Sequence, residues 1–91
     1  MLNTISITVT GKVQGVFYRQ SAKEKALELG LTGYIKNLRN GNVFITATGT
    51  REQLAAFTGW CKKGPPQAVV AGVEIIEISL THFEYFRIVR F

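Results

Sequence analysis

The apolar spacing along these 91 residues changes period in a definite order, and that order limits the folds open to the chain. Ile5, Ile7 and Val9 alternate with Thr4, Ser6, Thr8 and Thr10. Period two with β-branched residues predicts a strand. Residues 11–17 carry two glycines and read as a loop. Tyr18, Ala22, Ala26 and Leu29 then recur near the helical period, with Lys23, Glu24, Lys25 and Glu28 elsewhere around the turn, and Gly30 ends that helix. Thr32 to Arg39 and Asn42 to Thr48 read as two strands, with Gly49 closing the second. Asn40-Gly41 joins them as a type I′ hairpin, which asks for positive φ at both residues. Thr50-Arg51-Glu52-Gln53 has the form of a capping box, and Leu54, Phe57 and Cys61 make the apolar stripe of a second helix stopped by Gly64-Pro65-Pro66. Ala68 to Leu80 reads as a strand whose alternation slips at Gly72, the mark of a bulge. Thr81-His82 is a turn, and Phe83 to Phe91 a last strand with aromatic residues on both faces.

The order is βαββαβ with an added fifth strand. Two helices on one face of a mainly antiparallel sheet is the α+β, ferredoxin-like sandwich. Residues 1–91 are expected to form a single domain. The chain is 46% hydrophobic and 19% charged, which suits a packed core and not a disordered segment. No run of 18 apolar residues occurs, so no membrane span is expected, and the first residues lack the pattern of a secretory leader. Cys61 is the only cysteine, so no internal disulfide forms, and the chain is expected to be cytoplasmic. A net charge of +5 favours anionic partners.

The stretch Gly11-Lys12-Val13-Gln14-Gly15-Val16-Phe17-Tyr18-Arg19 lies between the first strand and the first helix. Its glycines allow a sharp turn, and successive N–H groups around such a turn bind anions. The helix beyond adds unpaired N–H groups and the positive end of its dipole. Arg19 stands where that helix begins, with a guanidinium able to grip phosphate oxygens as a fork. The stretch matches neither the Walker A pattern nor the dinucleotide fingerprint. His82 and Cys61 stand alone, so no metal set and no Ser–His–Asp or Cys–His set can be built. The chemistry left is transfer of a phosphoryl group by positioning and charge stabilisation, without metal or cofactor. It needs one polar group to aim a water, and Asn37, near the hairpin, is a neutral amide able to do so.

With these residues in view, the sequence resembles the acylphosphatase family. Residues 11–19 match its signature G-x-V-Q-G-V-x-F-R, with Tyr18 where phenylalanine is usual. A second signature is matched by Gly33, Tyr34, Lys36, Asn37, Gly41, Val43 and Gly49, with Ile35 bulkier than usual at its position. Gly64-Pro65-Pro66-Gln67-Ala68 and Val73-Glu74 also look like the family's stretch after the second helix. The resemblance spans essentially the whole chain. It implies sheet order 4-1-3-2-5 and hydrolysis of acyl phosphates to a carboxylate and inorganic phosphate. It also implies Arg19 as the substrate-binding arginine, Asn37 as the residue orienting the attacking water, and the amides of Gln14, Gly15, Val16, Phe17, Tyr18 and Arg19 as the phosphate cradle.

The remaining polar residues have plainer readings. Gln14 and Lys12 tune the surface of the loop, His82 is an exposed turn residue, and Lys36 and Arg39 are solvated strand charges. Trp60 and Phe57 belong to helix packing, and Cys61 is a small hydrophobe. The α-carboxylate of Phe91 is a candidate partner for Arg19. The expected partner is a small acyl phosphate, bound by a monomer, with no nucleic acid and no membrane. The competing reading is an RNA- or phosphate-binding module of the same fold. Against it, Thr4 to Thr10 offer no ring on which a base would stack.

Overall fold

Valine, isoleucine and threonine dominate the alternating stretches, and branched side chains settle well on a pleated surface. The computed structural model describes residues 1–90. In chain order the elements are β1 (Leu2–Lys12), α1 (Tyr18–Glu28), β2 (Thr32–Asn37), β3 (Val43–Thr50), α2 (Arg51–Lys63), β4 (Val69–Ile78) and β5 (Phe86–Ile88). The sheet order is β4-β1-β3-β2-β5, as expected. Neighbouring strands are antiparallel except β2 and β5, which run parallel with Gly33 opposite Phe86 and Ile35 opposite Ile88.

Alternation sorts the two faces of the sheet. Ile5, Ile7, Val9, Ile35, Val43, Ile45 and Ala47 lie on the face covered by the helices, and there they meet Ala22, Ala26, Leu54, Phe57 and Cys61 in one buried cluster. Each large apolar side chain so covered contributes roughly 1.5–3 kcal/mol. Phe57 lies parallel to Trp60 at 6.3 Å and edge-on to Phe86 at 6.1 Å, so β5 is locked to α2 by rings. On the other face, Thr4 and Thr48 are buried although polar. Their hydroxyls are 2.6 Å apart, Thr48 donates to the Thr81 carbonyl at 2.7 Å, and Thr81 N–H donates to Thr4 at 2.9 Å. The returning chain therefore crosses this face and satisfies the threonines it covers.

The helix ends follow local rules. Gly30 has φ 79°, and its amide reaches the Leu27 carbonyl while Leu31 N–H reaches Ala26, a Schellman ending. Thr50 caps α2 as expected, accepting from Gln53 N–H while the Gln53 side chain accepts from Thr50 N–H. The bulge expected at Gly72 is present: Thr10 pairs with Gly72 and Gly11 with Val70, leaving Ala71 unmatched.

Three expectations need correction. Among the described residues only Phe17 and glycines have positive φ, so Asn40 does not, and the hairpin is not type I′. Leu38 N–H donates to Asn42, Gly41 N–H to Leu38, and the Asn40 side chain accepts from Asn42 N–H at 3.0 Å. That closes a three-residue loop with Gly41 alone left-handed, because the Asn40 carboxamide is spent on holding the turn. Gly49 does not close β3 but lies inside it, since the strand runs on to the capping residue. The last strand shrinks to Phe86–Ile88, because the chain before it, including Thr81, is engaged with the face of the sheet.

Candidate active site

The loop between β1 and α1 is held by what it buries. Val13, Val16 and Tyr18 turn inward, while Gly15 and Phe17 are exposed and Gln14 and Arg19 half-buried. Tyr18 is fixed twice: its hydroxyl donates to the Cys61 carbonyl at 2.7 Å and its ring lies 5.4 Å from that of Trp60. Burial, and next the neighbouring Cys61, hold its phenol well above the ordinary range. Between these anchors the backbone takes two left-handed steps, Gly15 at φ 72° and Phe17 at φ 62°. The second is costly for a residue with a Cβ, by roughly 1–2 kcal/mol.

α1 begins without help. Phe17 provides no side-chain cap and the first turn has no acidic residue. The first helical bond is Ser21 N–H to Phe17. Among the described residues no acceptor is found for the backbone amides of Gln14 through Gln20. Unspent donors at a helix start, with no acidic side chain in its first turn, make an anion site.

Asn37 is the last residue of β2 and pairs with Val43. Its Oδ1 is buried with no hydrogen-bond partner among the described residues. Buried amide oxygens are seldom left so, which marks this atom as an acceptor waiting for a donor. A cleft of about 270 Å³ brings the two regions together: Gln14, Gly15, Phe17, Tyr18 and Arg19 border it, and so do Asn37, Ile88 and Arg90. Val16 alone of the six expected cradle residues does not border it, because its side chain is in the core and only its main chain remains for the cradle. Among the described residues the lining has two arginines and no acid. A tetrahedral dianion there would meet free N–H groups, a guanidinium and a carboxamide oxygen.

Two lining residues went beyond the sequence reading. The side chain of Gln14 is not a surface feature: its Nε2 donates to the carbonyls of Leu38 and Asn42 at 2.8 and 2.9 Å. Arg90 was not singled out. The signal that finds it is the parallel register of β2 and β5, which, carried two residues past Ile35 opposite Ile88, sets Arg90 level with Asn37. The other charges stay apart from the cleft. Lys36 lies on the opposite face of the sheet with its ammonium 5.8 Å from the Phe44 ring, and Arg39 and His82 are exposed. The pairing proposed for Phe91 lies outside the described residues. No group of three or more His, Cys, Asp or Glu side chains able to hold a metal occurs among the described residues. Among the described residues no helix is long and apolar enough to cross a membrane.

The family model described as Acylphosphatase matches residues 5–88. The chain belongs to the acylphosphatase family. The acylphosphatase of Methylococcus capsulatus is 43% identical over 90 residues, covering 98% of each chain. A solved acylphosphatase from Coxiella burnetii superposes with a TM-score of 0.93 at 46% identity, over 96% of this chain and 92% of that one. The acylphosphatase of Bacillus subtilis gives the same TM-score at 36% identity, over 98% and 99%. The acylphosphatase fold thus accounts for the sheet order, for the parallel fifth strand and for both helices.

Proposed function

We propose that this chain hydrolyses acyl phosphates to a carboxylate and inorganic phosphate. The free amides of Gln14 to Arg19 and the Arg19 guanidinium hold the terminal phosphoryl oxygens. Asn37 Oδ1 accepts a hydrogen bond from a water and aims it at phosphorus, in line with the acyl oxygen. The new P–O bond forms as the old one breaks, and the bonding pair leaves on the carboxylate. Carboxylate is a good leaving group, so no general acid is required. The proton of the attacking water passes to a phosphoryl oxygen, and no protein base is asked for. Charge in a loose phosphoryl transition state spreads over the equatorial oxygens, which is where the amides and Arg19 act.

The observation that carries this reading is the unpartnered, buried Asn37 Oδ1 on the same cleft as Arg19 and the uncapped helix start. Family membership supports the reaction class. The test is hydrolysis of benzoyl phosphate with a chelator present, for the native chain and for Arg19→Gln and Asn37→Ala. Absent turnover by the native chain, or full turnover by either variant, would reject it.

The same reading takes a small acyl phosphate, not a nucleic acid, as the partner. β1 puts Thr4, Ser6 and Thr8 on the face away from the helices, and the rings there, Tyr34, Phe44 and Phe83, pack at tilted or edge-on angles against one another. The single, buried free cysteine supports a cytoplasmic setting.

A further inference from the structure

The cradle and Asn37 belong to parts of the fold that the sheet does not join near the cleft. The ladder between β1 and β3 ends at Val9 opposite Val43. Beyond it, β1 continues only along β4, as far as Lys12 opposite Val69. The loop that follows and the hairpin after Asn37 therefore face each other without a backbone ladder. Among the described residues the only hydrogen bonds between loop 13–17 and hairpin 38–42 come from one side chain, Gln14. Both hydrogens of its amide are used, one on the Leu38 carbonyl and one on the Asn42 carbonyl. Leu38 is the residue next to Asn37.

These two oxygens do not need Gln14 to be satisfied. Leu38 already accepts from Gly41 N–H at 3.2 Å, and Asn42 from Leu38 N–H at 2.8 Å. The hairpin would close without the glutamine. What the glutamine adds is a fixed distance between the loop that grips the phosphoryl group and the strand end that carries the carboxamide.

Resting on the function proposed above, we infer that the Gln14 side chain is a positioning residue that holds Asn37 Oδ1 in line with the bound phosphorus. A displacement of about 1 Å at a reacting centre costs up to roughly 10²-fold in rate. Binding of phosphate needs only the loop and Arg19, so it survives when the tie is cut.

The experiment is a double-mutant cycle on benzoyl phosphate hydrolysis using Gln14→Met, Asn37→Ala and the pair. Methionine keeps the bulk of the side chain and removes its donors. Q14M is expected to lower kcat about 10- to 50-fold, with KM and the inhibition constant of inorganic phosphate within about threefold. In the N37A background Q14M is expected to change kcat by less than about twofold, because the group it positions is gone. Equal losses in both backgrounds would overturn the inference. So would a native kcat in Q14M, or a loss expressed in KM and phosphate inhibition. Failure of the underlying function shows separately, as an inactive native chain or an unimpaired N37A. Should Q14M not fold, Gln14→Asn, too short by one methylene to reach both oxygens, enters the same cycle with the same expected and overturning results.

Discussion

Tyr18 gives its hydroxyl hydrogen to the carbonyl oxygen of Cys61 across 2.7 Å, fastening the first residue of α1 to the last turn of α2. Phenylalanine, usual at this place in the signature that residues 11–19 resemble, would lack the hydroxyl that makes the bond. It anchors a helix start that no side chain caps. It also puts two titratable groups side by side out of water. Burial pushes the Cys61 thiol up to about 12, and burial raises Tyr18 further still.

The alkaline limb of stability follows from that pair. In the unfolded chain the thiol releases its proton near 9.0, whereas in the fold it keeps it to about 12. The folded state then holds more protons than the unfolded one, so stability is full below about pH 9 and falls as pH rises. The slope is about 1 kcal/mol or slightly more per pH unit for each group. Urea unfolding of the native chain and of Cys61→Ala between about pH 7 and 11 is expected to give curves that diverge above pH 9, with the variant falling less steeply. Parallel curves would show that Cys61 does not contribute.

Arg19→Gln is expected to reduce kcat/KM by about 10³-fold or more, as loss of a phosphoryl-binding arginine does elsewhere. Competitive inhibition by phosphate should disappear with it. Arg19 is half-buried and makes no ion pair among the described residues, so Tm should stay within about 3 °C of native. Steady-state kinetics and a thermal melt together separate this from misfolding.

Asn37→Ala is expected to lower kcat by 10²–10³, about 3–4 kcal/mol, with phosphate inhibition nearly unchanged. Its effect on stability should be small. Oδ1 has no hydrogen-bond partner among the described residues, so the substitution breaks no bond between protein groups. A thermal melt is expected to keep Tm within about 3 °C of native.

Two glycines should respond to alanine in opposite measure. At Gly15 a new Cβ meets nothing, so the cost is that of the left-handed backbone alone, roughly 1–2 kcal/mol, with the loop strained but present. At Gly33, φ 142°, the Cβ would land on the Thr46 carbonyl oxygen across the β2–β3 ladder. That substitution should cost at least about 3 kcal/mol and part the strands. Chemical denaturation of the two variants measures the contrast.

Legibility in the sequence tracked locality. The threonine–isoleucine alternation of β1, the Thr50–Gln53 capping box, the Gly30 ending and the slip at Gly72 each depend on neighbours a few positions away. Arg19 and Asn37 stand out in the sequence because the proposed chemistry asks for those side chains, and the structure puts both on one cleft. Phe17 does not, since a left-handed aromatic violates local preference and is imposed by the anchors on either side of it. Gln14 was misjudged because its partners are 24 and 28 residues away. Arg90 was missed because a parallel edge strand, not spacing in the sequence, sets it beside Asn37. The short β5 likewise reflects contacts of Thr81 with threonines from two distant strands.

Thr50 ends β3 and caps α2 with no residue between the two elements. One inserted residue at that junction would rotate the helix by about 100° and carry Leu54, Phe57 and Cys61 off the sheet. Length changes in this protein therefore belong in its other connections, and a designer seeking a new substrate should vary the rim of the cleft and leave this splice untouched.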